Sequence, residues 1–155
     1  MNKIGTFLFE LFGKLLGKLP KWLIYGFSDL LYFIGFYVIG YRKKVVFGNL
    51  KNAFPEKSNK EIKALGKRFY RHLSDVMIEN VVSLFMKPQQ IKNFVSIRNI
   101  EVVNRKKEKN KNITGIIGHY GNWEFLTTVP PYTPYAILSV YKPLKNKFFD
   151  RKTYE

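Results

Sequence analysis

Apolar residues recur along the first segment at Ile4, Phe7, Leu8, Leu11, Phe12, Leu15, Leu16 and Leu19. This is the i, i+3, i+4, i+7 spacing of one helical face. Lys14, Lys18 and Glu10 fall off that face, so the segment reads as an amphipathic helix lying in a membrane interface. Trp22 to Gly40 is apolar nearly throughout, with Asp29 as its only acid, and its length is close to the roughly 20 residues that cross a bilayer. Trp22 and Tyr41 mark interfacial ends, and Arg42, Lys43 and Lys44 follow at once. No small-residue cleavage site follows, which makes the stretch an uncleaved anchor rather than a signal peptide. Asp29 at mid-depth would cost roughly 2.5 to 3.5 kcal/mol, so a tilted or re-entrant segment is the competing picture.

Beyond the anchor the pattern turns polar. Pro55 closes Asn49–Phe54, and Ser58-Asn59-Lys60-Glu61 is a capping box that opens a long helix to about Met86. Ile62, Leu65, Phe69, Leu73, Val76 and Val81 are its expected apolar stripe, with Lys60, Lys63, Lys67, Arg68 and Arg71 on the remaining surface. His72, Asp75 and Glu79 share a face, which reads as a solvated or cap-forming polar strip rather than a metal site. Pro88 is expected to end this helix. Phe94–Ile97 reads as a short strand and Ile100–Lys111 as a charged helix or loop, with Arg105–Lys111 a solvated basic face. Ile113–Gly118, β-branched and uncharged, reads as a buried strand. A short helix capped by Asn122 should follow and stop before Pro130-Pro131. Tyr135–Tyr141 reads as the next strand, and a further helix starts near Phe148.

Net charge narrows the partners further. The 27 Lys and Arg outnumber the 11 Asp and Glu, a net +16, which selects anionic partners. Aromatic residues are 17% of the chain and cluster with apolar rather than basic residues near the N-terminus, favouring a membrane surface over nucleic acid. The chain has no Cys.

The candidate chemistry lies where the apolar run stops. His119 and Glu124 are five residues apart, which on a continuous helix would set them roughly 140° apart. A strand, a turn and a helix start can instead fold them together at the C-terminal edge of a sheet. A His beside a carboxylate is the general-base half of a triad. With no Ser or Cys in the segment, the substrate would bring its own nucleophile. The N–H groups around Gly121 and Asn122 could face a developing oxyanion. Lys142, at the end of the next strand, would arrive at the same edge and suit a phosphate, with Asn146 capping or orienting that turn. A core histidine capped by a neighbouring helix is the plainer account of the same residues.

Gly118-His119-Tyr120-Gly121-Asn122-Trp123-Glu124 resembles the signature of the bacterial lipid A biosynthesis (lauroyl/myristoyl) acyltransferases, members of the lysophospholipid acyltransferase superfamily. Asn49-Leu50-Lys51-Asn52-Ala53-Phe54-Pro55-Glu56 is similar to a second segment of that family, and Val140-Tyr141-Lys142-Pro143-Leu144-Lys145-Asn146 to its second motif. Members are considerably longer, so the chain is expected to be their N-terminal half.

The resemblance implies an α/β fold: N-terminal membrane-associated helices over residues 1–41, then over 42–155 part of an acyltransferase sandwich with a mixed sheet. It implies transfer of an acyl chain from acyl carrier protein to a hydroxyl of a lipid A precursor at the cytoplasmic face of the bacterial inner membrane. His119 and Glu124 would be catalytic, and Gly121, Asn122, Trp123, Lys142 and Asn146 would bind substrate. No metal or organic cofactor is implied, because a thioester already activates the acyl group. Other acceptors, a lysophospholipid or an aminolipid, fit the same residues, as does an inactive basic membrane-binding module.

Overall fold

The computed structural model describes residues 3–138, 143, 145–148 and 150. Among them every regular element is helical: α1 (Lys3–Leu16), α2 (Lys21–Phe33), α3 (Lys43–Ala53), α4 (Asn59–Ser83), α5 (Pro88–Phe94) and α6 (Ile100–Glu108). A π-helical turn (Ile34–Ile39) continues α2, and two 3-10 turns (Trp123–Thr128 and Pro130–Tyr132) follow α6. Two compact units result, one from Met1–Lys18 with Asn80–Glu155 and one from Leu19–Glu79.

The α/β sandwich with a mixed sheet is therefore corrected: no strand occurs among the described residues. Ile113–Gly118 has no regular structure among the described residues, and Ile116 is 94% exposed. An apolar run becomes a strand only when a neighbour takes up its N–H and C=O groups. Phe94 instead ends α5, which starts at Pro88, and the long helix before it stops at Ser83, ahead of that proline as expected. Proline suits the first position of a helix because its missing N–H has no intrahelical partner anyway. Of Tyr135–Tyr141, residues 135–138 are irregular and the remainder lies outside the described residues.

In the Leu19–Glu79 unit, α4 organises the packing. Its capping box forms as the sequence predicts. Ser58 donates from its N–H to Glu61 Oε2 at 2.9 Å and from Oγ at 2.7 Å. The Glu61 N–H returns a bond to Ser58 Oγ. These donors hold the Glu61 carboxyl below its ordinary range. The buried positions of α4 are Ile62, Gly66, Tyr70, Ser74, Ile78 and Val82, every fourth residue. Of the expected stripe, Ile62 lies on this line, Leu65, Leu73, Val76 and Val81 are half-buried beside it, and Phe69 is exposed. Small and hydroxylated residues carry the contact. Gly66 leaves room for the Phe47 ring of α3, 2.5 Å from where a Cβ would stand. Tyr70 donates its hydroxyl to the Tyr41 carbonyl, and its own burial raises its pKa.

The apolar segment from Lys21 to Ile39 is long and apolar enough to cross a membrane. Its polar edge nevertheless lies against α4. Ser28, fully buried, donates to Asp75 Oδ1 at 2.5 Å. Tyr25 donates to Glu79 Oε1 at 2.8 Å, and Asp29 pairs with Arg71 at 3.5 Å. The buried Phe36 sits edge-on to Tyr70, with ring centroids 5.1 Å apart. The π turn closes at Gly40, whose φ of +67° is a left-handed conformation that glycine adopts without strain.

In the other unit, Phe9, Gly13 and Leu16 form the inward edge of α1. Phe85 covers Gly13 so closely that no side chain fits there, and its ring lies 5.7 Å from that of Phe9. Ile4, Phe7, Leu8, Leu11, Phe12 and Leu15 remain exposed. Gln90 of α5 accepts from the Lys87 N–H and donates to the Gly17 carbonyl just beyond α1.

Two outcomes follow for stability. Ser28→Ala removes the hydroxyl donor of Asp75 and should destabilise the fold by about 1–2 kcal/mol in denaturant unfolding. Ser58→Ala should cost about 1 kcal/mol at neutral pH. Because the Glu61 pKa is lowered on folding, its share of the box is complete above the unfolded carboxylate pKa. It disappears as pH falls through the lower folded value, so the deficit of Ser58→Ala should shrink in acid unfolding experiments.

Candidate active site

The candidate turn is held from behind. Tyr132, at the end of the second 3-10 turn, donates its hydroxyl to the Val95 and Ile91 carbonyls at the end of α5. Asn104 of α6 donates to the Tyr132 carbonyl at 3.2 Å. The Phe125 ring lies edge-on to Phe94, 6.2 Å between centroids. These contacts fix Trp123–Tyr132 against α5 and α6, while the segment leading into it, 111–120, is exposed along its length.

His119 and Tyr120 stand exposed at the start of the turn. Gly121 has φ +59°, the left-handed value that reverses the chain, with open space where a Cβ would be. Asn122 occupies the cap position of the 3-10 turn, but its side chain makes no capping bond. The helix expected after it is thus this 3-10 turn, and Glu124 lies in its first turn. The reversal brings Trp123 back onto His119, ring centroids 4.5 Å apart and tilted by 60°. His119 and Glu124 form neither a hydrogen bond nor an ion pair with each other. The five motif residues therefore share one turn, and within it the imidazole rests on indole rather than carboxylate.

Lys142 lies outside the described residues. Asn146 accepts a bond from the Phe148 N–H at 3.0 Å through Oδ1, and its carbonyl accepts from the Asp150 N–H. It caps the helical conformation at Lys147–Phe148. With Lys145, Lys147, Phe148 and Thr6 of α1 it lines an open cleft of about 440 Å³. On α4, Asp75 and Glu79 serve as acceptors for α2, so the polar strip is a packing seam.

One feature carries no signal in the sequence. Lys43, Lys51 and Lys63 converge on a cleft whose floor includes Phe36, Phe47 and Ile62. Lysines eight and twelve residues apart read as solvated faces, and only the α3–α4 hairpin brings them together.

The family model of bacterial lipid A biosynthesis acyltransferases matches residues 1–155, the whole chain. The chain belongs to this family. No curated protein and no solved structure matches it. The turn carrying Gly118–Glu124 is accordingly part of a lipid A biosynthesis acyltransferase, a transferase that moves an acyl group from a donor to a lipid acceptor. The same assignment gives the exposed apolar residues of α1 and α2 a setting, since the acceptor of such an acyltransferase is a lipid.

The exposed approach to the turn has a measurable consequence. In hydrogen-exchange mass spectrometry the amides of Asn112–Gly118 should exchange before those of Ile62–Ile78. Protection of 112–118 equal to that of α4 would mean that the segment is paired in solution.

Proposed function

We propose that the chain works in O-acylation of a lipid A precursor with acyl carrier protein as donor. Membership of the family carries the reading, together with the placement of His119, Gly121, Asn122 and Glu124 on one exposed turn. In the proposed step an acceptor hydroxyl attacks the thioester carbonyl while His119 takes its proton. The tetrahedral intermediate collapses, the C–S bond breaks, and the imidazolium returns the proton to the departing thiolate. The products are an ester and a free thiol, so atoms and charge balance without a cofactor. Glu124 orients the imidazole and stabilises its charged form once the ring leaves Trp123. N–H groups at Gly121 and Asn122 serve the oxyanion, Trp123 shields the site, and Lys142 and Asn146 hold an acidic group of the donor or acceptor.

Residues 1–41 serve as the membrane-associated region and 42–155 carry the catalytic motif, facing the cytoplasm. Lys21–Ile39 lies in the interface rather than across the bilayer. Two observations support this: Ser28 and Asp29 bond to α4, and α4 carries Lys60, Lys63, Lys67, Arg68 and Arg71, which hydrocarbon would not accept. Trp22, Leu30, Phe33, Val38 and Ile39 remain exposed to meet lipid. The partners are then acyl carrier protein, the lipid acceptor and an anionic membrane surface, and not nucleic acid.

His119→Ala should lower transfer from labelled acyl carrier protein to a lipid A precursor by roughly a hundredfold to ten-thousandfold. Glu124→Gln should lower it by a smaller factor, and membrane partition should change in neither. Near-complete activity of His119→Ala would remove the general base from this account. A chain whose product appears only with lysophospholipid would instead favour that acceptor.

A further inference from the structure

The cleft in the Leu19–Glu79 unit takes up none of the acyl-transfer chemistry, yet its lining is selective. About 500 Å³ in volume, it is lined by Phe36 and Tyr37 of the π turn, Lys43, Phe47 and Lys51 of α3, and Asn59, Ile62 and Lys63 of α4. Its floor is apolar: Phe36 and Ile62 are buried and Phe47 is half-buried. Its rim is cationic. Lys43 Nζ lies 4.3 Å from the centre of the Phe36 ring, a cation–π contact that holds the ammonium over the apolar floor. None of Lys43, Lys51 and Lys63 pairs with a described carboxylate, and no acidic residue lines the cleft. Lys67, one turn beyond Lys63, adds positive charge over the Tyr37 ring at 5.8 Å.

An apolar floor beneath a ring of unpaired ammonium groups matches an amphiphile with a negative head. Three lysines without a forked guanidinium suit a phosphate held as a point charge. The volume accommodates a headgroup with the first carbons of its chains. At its π-turn side the cleft borders exposed Val38, Ile39 and Tyr41, which places its mouth beside the surface assigned to lipid. An acidic protein would need charge without this floor.

We propose that the cleft is a binding site for the phosphate of an anionic membrane phospholipid, with Lys43, Lys51 and Lys63 around the phosphate and Phe36, Phe47 and Ile62 beneath its proximal acyl carbons. The source of the lipid rests on the interfacial placement given above, while the site itself is independent of the role of His119.

The test uses the full chain and dihexanoyl phosphatidic acid below its micelle concentration, with dihexanoyl phosphatidylcholine, inorganic phosphate and apo acyl carrier protein as separate titrants. Binding is read by calorimetry and by amide chemical shifts. Phosphatidic acid should bind about tenfold more tightly than phosphatidylcholine or phosphate, with shifts centred on Phe36, Phe47 and Ile62. The triple variant Lys43→Gln, Lys51→Gln, Lys63→Gln should lose about tenfold of that affinity with an unchanged circular dichroism spectrum. Unchanged affinity in the variant, or shifts centred elsewhere, overturns the proposal. So does inorganic phosphate binding as tightly as the lipid, which would mark a plain ion site. Loss of carrier-protein binding with phosphatidic acid binding intact would assign the lysines to the donor instead. Should the triple variant fail to fold, the shift map of the unsubstituted chain decides alone. Because no turnover is measured, an inactive His119 would leave the result untouched.

Discussion

The bond from Ser28 to Asp75 sets the terms for the N-terminal half of the chain. It buries a hydroxyl and engages a carboxylate between an apolar helix and a strongly basic one. The flanking pairs, Tyr25 with Glu79 and Asp29 with Arg71, extend it into a polar seam. Polar groups inside a contact stabilise only when partnered, so the seam fixes the register of α2 on α4 as well as their contact. That register sets the Phe36 wall of the cleft, and the α3–α4 hairpin sets the rest. Phe36 meets Tyr70, Phe47 enters the space at Gly66, and the lysines of α3 and α4 turn to one cleft.

The seam also resolves a contradiction carried by Asp29. Alone in an apolar segment, an aspartate opposes insertion; here it pairs with Arg71 of a neighbouring helix at the exposed edge of the contact. In the interfacial placement proposed above, the exposed apolar residues of the segment meet lipid while the charged helix behind them stays in water. Such a seat suits the proposed O-acylation, in which the acceptor hydroxyl belongs to a membrane lipid. The exposed stripe of α1, from Ile4 to Leu15, supplies a second apolar surface of the same character.

How much was legible in the sequence follows from which interactions are local. The Ser58–Glu61 box and the amphipathic first helix depend on neighbours within a few residues, and both form. The stripe of α4 is shifted from its expected positions because Gly66 and Ser74 do not register as apolar, although small size lets a helix approach closely. The strands failed for a different reason. Ile113–Gly118 has the composition of a strand, but strand formation is a property of a pair, and no described segment pairs with it. At the motif, the turn was legible from Gly121 and Asn122. The contact that His119 makes within it, with Trp123 rather than Glu124, follows from the 3-10 geometry of the next turn. Family membership rests on the match of the family model over residues 1–155 and does not depend on how the motif side chains sit.

The claim on which the membrane account turns is that Lys21–Ile39 lies on one face of the bilayer, held by α4. The absence of Cys makes this directly measurable. Single substitutions Trp22→Cys and Tyr41→Cys, at the two ends of the segment, can be labelled in sealed vesicles with a membrane-impermeant maleimide. The account predicts that both sites react from the same side. Labelling of the two from opposite sides would show a spanning helix, and would contradict the seam as the constraint that places this chain at the membrane.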